Sequence, residues 1–184
     1  MRAHRIVVAG ASGSGKTTLA ARIAAVTGAP HTEIDGLHWR AGWTASESFV
    51  EDVEALAARD AWVTEFQYRQ VLPILAARAE LLVWLRPPRF VVLSRVVRRT
   101  VRRRVRRELL WGVNLEPPLH TVLTDPDHIV RWSMRTFHAA EERVRVAVRS
   151  NPGLRIVQVR TRGDVERLLA LLARDSGRDP SIRA

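Results

Sequence analysis

The sequence predicts an α/β protein, a three-layer α/β/α sandwich built on a five-stranded parallel sheet. Three observations carry that expectation. Short apolar runs of strand length alternate with segments whose apolar residues recur at helical spacing, the pattern of parallel strands joined by crossover helices. A glycine-rich turn separates the first apolar run from the first helix. Acidic residues end two further runs, where parallel strands deliver side chains to one edge of the sheet.

The first strand is the apolar run Ile6 to Ala9, and Gly10-Ala-Ser-Gly-Ser-Gly-Lys-Thr17 follows it, matching G-x-x-x-x-G-K-[ST] at every fixed position. This is a phosphate-binding loop. Gly10, Gly13 and Gly15 let the backbone turn tightly, so that successive N–H groups, from the loop through Ser12, Ser14 and Thr18, face the β- and γ-phosphates of a nucleotide. The helix opening near Gly15 points its positive end at the same anion. Lys16 adds a mobile point charge, and the Thr17 hydroxyl suits Mg²⁺. Lys16 is also the sole lysine among 30 basic residues. A compact ammonium kept at this position in an arginine-dominated chain points to chemistry.

The remaining elements follow in order. Thr17 to Val26 carries Leu19, Ala20, Ile23 and Ala24 on one helical face and ends at Gly28 and Pro30. His31 to Asp35 reads as the second strand, which sets Asp35 on the sheet edge beside the loop. Trp39 and Trp43 beyond it either pack or stack on a substrate ring. Thr44-Ala-Ser-Glu47 has the form of a capping box for a helix to about Arg59. Ala61 to Glu65 is the third strand, placing Glu65 where a carboxylate holds a water of a Mg²⁺ shell. A short helix with Pro73 and a buried strand, Leu81 to Leu85, come next, stopped by Pro87-Pro88. From Arg89 to about Leu110 one helix is expected, with Leu93, Val97, Val101, Val105 and Leu109 as its packing stripe and arginines elsewhere. Asn114 to Thr124 is a loop, and Asp125-Pro126 opens a long helix to about Arg149. Leu154 to Val159 is the last strand, Thr161 to Asp164 a cap, and Val165 to Ala173 the final helix.

Composition bounds the rest. The chain has 184 residues, 46% of them hydrophobic, enough for one domain with a sizeable core. It has no cysteine, which excludes disulfides and thiolate metal sites. No run approaches membrane-spanning length and the N-terminal apolar run is too short for a signal peptide, so a cytoplasmic protein is expected. The net charge is +11, yet residues 86–107 alone hold ten arginines and no acid. The basicity belongs to one element rather than to a surface-wide footprint for nucleic acid or membrane.

Taken together, Gly10–Thr17, Ile34-Asp35 with Leu37-His-Trp39 and Gly42-Trp43, Trp62-Val-Thr-Glu-Phe-Gln-Tyr68, and the Arg-rich helix after Pro87-Pro88-Arg89 resemble a family of adenylate-kinase-like P-loop proteins, whose bacterial members are often labelled DNA topology modulation proteins. The resemblance covers roughly residues 5–173. It implies a nucleoside-monophosphate-kinase-like P-loop NTPase fold with five strands, ATP and Mg²⁺ as ligands, and an Arg-bearing lid, here around residues 89–124. Length and composition make 1–175 a single domain, and the polar residues 176–184, with Gly and Pro, read as a flexible tail. Where relatives carry Asp-Gly-Asn-Tyr this chain has Glu65-Phe-Gln-Tyr68, and it has Arg86 where they tend to have Asp.

The expected activity is Mg²⁺-dependent transfer of the γ-phosphoryl group of ATP to a small acceptor, a nucleotide or nucleoside among the candidates. Asp35 is the expected group to take or orient the acceptor's proton, Glu65 to serve the Mg²⁺ shell, and Arg99, Arg103 and Arg106, spaced i, i+4, i+7, to present one cationic face. The alternative is a nucleic-acid-associated NTPase that tracks phosphates with the Arg helix, although no aromatic residue interleaves residues 94–107 for base stacking.

Overall fold

A computed structural model of the chain describes residues 3–106, 109–110, 114–115, 124 and 129–176. In chain order its elements are β1 (Arg5–Gly10), α1 (Lys16–Thr27), α2 (Ile34–His38), a 3-10 turn (Ala41–Trp43), α3 (Phe49–Ala57), β2 (Trp62–Glu65), α4 (Leu72–Arg78), β3 (Leu81–Leu85), α5 (Arg89–Arg106), β4 (Leu109–Leu110), β5 (Asn114–Leu115), α6 (Ile129–Arg135), α7 (Ala139–Ser150), β6 (Arg155–Val159) and α8 (Arg162–Asp175).

The main sheet is parallel, in the order β2-β1-β3-β6. Strand alternation divides its core in two. Val7 and Ala9 of β1 face one side with Leu82, under Phe49, Val53 and Leu56 of α3, Leu72 and Leu75 of α4, and Val144 and Ala147 of α7. Ile6 and Val8 face the other side with Leu81 and Val83, under Leu19 and Ile23 of α1 and Leu168, Leu169 and Leu172 of α8. Covered on both faces, β1 and β3 can be continuously apolar, which is how they read in sequence. A third, smaller cluster joins Ala11 to Val92 and Val96 of α5, with Ile129, Val130 and Phe137 packed against it. That cluster fastens α5 and α6 to the loop after β1. At the far end of α5 the short antiparallel pair β4–β5 lies against Ala41–Trp43.

Among the described residues the main sheet has four strands, not the expected five. The segment after Pro30 begins to pair with β2, with Thr32 N–H on the Val63 carbonyl at 3.0 Å and a single bridge from His31 to Val63. The Glu65 carboxylate then takes the Ile34 N–H at 3.1 Å, and the chain winds into α2. Asp35 therefore rides on a helix, not on a strand.

Three helical expectations also shift. Thr44 caps nothing: its hydroxyl donates to the Ala41 carbonyl at 2.9 Å, and α3 begins only at Phe49. The helix expected to run to Arg149 is two helices where it is described, α6 and α7, with the Thr136 hydroxyl donating back to the Trp132 carbonyl at the break, 2.7 Å away. Its proposed start at Asp125-Pro126, most of the 114–124 loop and the tail beyond Ser176 lie outside the described residues. On α5 the buried line is Val92, Val96 and Thr100, while Val97, Val101 and Val105 are 42%, 41% and 74% exposed. The Thr161 cap is as expected, a capping box closed by Asp164 at the start of α8.

Candidate active site

The loop between β1 and α1 is shaped by glycines, two of them in the left-handed region that other residues rarely adopt. Gly13 has φ +79°, and a Cβ there would lie 2.1 Å from a methyl of Val96. Gly15, at φ +101°, turns the chain into α1, so that the helix begins at Lys16. Two loop carbonyls are held from outside, Ser14 by the Arg95 guanidinium at 2.9 Å and Ser12 by the Ser133 hydroxyl at 3.0 Å. The first N–H groups of α1 have no intrahelical carbonyl to bond, which leaves them for an anion. Thr17 and Thr18 are exposed at this end of the helix.

Lys16, which the sequence presents as a mobile point charge, is only 9% exposed. Its Nζ donates to the Ala11 carbonyl at 3.2 Å. Burial is the largest influence on the amine and Arg143 the next, and together they lower its pKa to about 8 against the opposing pull of Asp35 and Glu65; Arg99 lowers it further. Two arginines and two carboxylates thus share the electrostatic surroundings of one lysine.

The carboxylates differ in kind. Glu65, at the end of β2, is 2% exposed, with Oε1 3.2 Å from His31 Nε2 and Oε2 accepting from the Ile34 N–H. Burial pushes its carboxyl up, but the hydrogen bonds from His31 and Ile34 outweigh that and hold it below the usual carboxylate range. Asp35 accepts at Oδ1 from Gln67 Nε2 at 2.5 Å and from the Tyr68 hydroxyl. Burial raises its pKa, and the Tyr68 hydrogen bond and Lys16 only partly offset the rise. Tyr68 itself sits at φ +65°, a left-handed backbone that costs a non-glycine residue roughly 1–2 kcal/mol and that is concentrated at functional sites.

With this geometry in view, comparison with solved structures gives consistent matches. A shikimate kinase from Acinetobacter baumannii is 15% identical over 92% of this chain and 90% of its own, with a TM-score of 0.57. A shikimate kinase from Bacteroides thetaiotaomicron is 17% identical over 93% and 99%, at 0.54. A sugar kinase from a Janibacter species is 19% identical over 97% and 99%, at 0.50. The chain shares the fold of these kinases. At these identities the likeness speaks for the fold alone. No family model matches the sequence, and a search of the curated proteins finds no match.

Within that fold the expected site residues divide. Asp35, Glu65 and Arg99 all act electrostatically on Lys16 at the loop after β1. Arg103 is half-buried one turn further along α5, and Arg106 is exposed two turns on, ~10 Å from Arg99 along the axis. Arg143 is the residue that sequence reasoning missed. It is half-buried, its Nε donates to the Ala139 carbonyl at 3.2 Å, and burial lowers its pKa. A signal existed: Arg143 falls between Ala140 and Ala147, on the inward face of α7 that Val144 shares, where an unpaired pattern of small apolar residues leaves room for one long cation.

The residues present fit a nucleotide and a divalent cation. Among the described residues no three His, Asp or Glu side chains gather as a protein cage for a metal. Mg²⁺ in phosphoryl-transfer sites needs no such cage, since phosphate oxygens and water supply most of its ligands.

Proposed function

We propose that this chain is a Mg²⁺-dependent phosphotransferase that moves the γ-phosphoryl group of ATP to a small-molecule acceptor. The observation that carries the reading is the surroundings of Lys16, a buried amine at the phosphate loop with Arg143, Arg99, Asp35 and Glu65 about it. Phosphoryl transfer calls for positioning and for neutralising charge that spreads over the transferring oxygens, and cations gathered about a buried amine do both.

In this reading the loop residues Gly10, Ser12, Gly13, Ser14, Gly15, Lys16, Thr17 and Thr18 hold the β- and γ-phosphates. Lys16 leaves the Ala11 carbonyl for the phosphate oxygens. The Thr17 hydroxyl and, through water, Glu65 would hold Mg²⁺, which supplies further charge neutralisation when bound. Each Glu65 oxygen keeps a second lone pair for that water beside its bond to His31 or Ile34. Asp35 takes or orients the acceptor's proton. Arg143 and Arg99 meet the transferring group, and Arg103 and Arg106 extend the cationic face into a lid around residues 89–124 of a single domain over 1–175. The adenylate-kinase-like family is the narrower home that the motifs favour, and the cytoplasm the expected location.

Lys16→Ala tests this directly. The wild-type protein should gain melting temperature with ATP and Mg²⁺, the linkage being worth about 2.7 kcal/mol at a hundredfold excess over Kd. The variant should fold and lose that gain, because it deletes a desolvated cation and no packing group. An ATP-induced rise as large as wild type would overturn the reading.

A further inference from the structure

Building on the phosphotransferase reading, we infer that the acceptor is a small alcohol carrying an anionic group, and that it occupies the cavity between His38 and Arg69. That cavity, about 360 Å³, is lined by His38, Tyr68, Arg69 and Gln70. It lies beside Asp35 because Tyr68 belongs to both: the residue lines the cavity, and its hydroxyl donates to Asp35 Oδ1. The volume falls at the small end of ligand sites, which run from roughly 300 to 1,000 Å³.

Three features fix the class of molecule. The first is Asp35, whose Oδ1 is filled by Gln67 and Tyr68 while Oδ2 takes no hydrogen bond among the described residues. A carboxylate poised this way suits an acceptor that must lose a proton, which an alcohol does and an already ionised phosphate does not. The second is Arg69, exposed at the cavity and without a hydrogen bond or ion pair among the described residues. Its planar fork matches a carboxylate or phosphate. The third is His38. Its ring is already packed by Tyr68, Trp39 and Phe49, with centroids 4.1, 4.6 and 4.6 Å away, so it offers little face for a nucleobase.

In the transfer step the acceptor oxygen bonds to the γ-phosphorus as its proton passes to Asp35 Oδ2. The bond from that phosphorus to the β–γ bridging oxygen breaks, and its electron pair leaves with ADP. The product is the phosphate ester of the acid, and Asp35 returns its proton to water.

The test is an ADP-release assay on the full chain with D-glycerate, D-gluconate, shikimate, glycerol 3-phosphate, glycerol, D-glucose and AMP. At least one anionic alcohol should be turned over, with carboxylates against glycerol 3-phosphate identifying the anion. Its kcat/KM should exceed that of its neutral counterpart, and Arg69→Ala should raise its KM about 10- to 100-fold, as loss of a charge-assisted hydrogen bond does, with the ATP-induced rise in melting temperature unchanged. The inference falls if AMP or a neutral alcohol is preferred, if Arg69→Ala leaves KM alone, or if ATP stabilises the protein and no anionic alcohol releases ADP. Failure of ATP to stabilise the wild-type chain is a different result and overturns the phosphotransferase reading beneath it.

Discussion

Glu65 is a buried carboxylate held by His31 and by the Ile34 amide at the start of α2. Its folded pKa is held below the unfolded value near 4.5, so its contribution to stability is complete above that value and is lost as pH falls through the folded pKa. Glu65→Gln should therefore cost about 1–3 kcal/mol at neutral pH, the range for spoiling a buried hydrogen-bonded charge, and the gap to wild type should close on acidification. Urea unfolding across a pH series measures both. Lys16 offers a cleaner probe still, since no other lysine side chain is present to obscure its signal. In isotope-labelled protein its side-chain resonance should titrate near 8. Arg143→Met should move that value up by removing a like charge, and Asp35→Asn should move it down by removing an opposite one. A Lys16 titration indifferent to Arg143 would separate the two residues.

At the scale of elements, α5 shows why a periodic pattern can name a helix and still miss its buried face. Two lines four residues apart run along it, Val92-Val96-Thr100 and Leu93-Val97-Val101-Val105, and the second is the more apolar in sequence. The first is buried because its partner is the phosphate loop, where Gly13 leaves space that Val96 fills. A glycine in one element thus selects the face of another, and no property of α5 alone records it. Val96→Ala should destabilise the protein by about 1–3 kcal/mol through the cavity it leaves, whereas Val101→Ala should stay within about 0.5 kcal/mol as a surface change. Denaturant midpoints of the two variants decide the matter, and equal losses would contradict the packing described.

Across the whole molecule, the layered α/β architecture was readable because strands buried on both faces and helices buried on one leave different periodicities. The missing fifth strand was not, since a side-chain carboxylate intercepts the amide that would have continued the ladder. The phosphate loop and both carboxylates could be found from sequence, but the convergence of Arg143 and Arg99 on Lys16 joins residues far apart in the chain and needed the fold. That convergence is the central claim, and titration calorimetry of MgATP at fixed salt tests it most directly, with wild type, Lys16→Ala, Arg143→Ala and Arg98→Ala side by side. Arg98 is exposed on α5 and serves as the control for charge alone. Affinity should fall tenfold or more in the Lys16 and Arg143 variants, roughly 1.4 kcal/mol or above, and hold in the Arg98 variant. Equal affinity in all four proteins, or the same loss from Arg98 as from Arg143, would contradict a built phosphate site and leave only a diffuse basic surface.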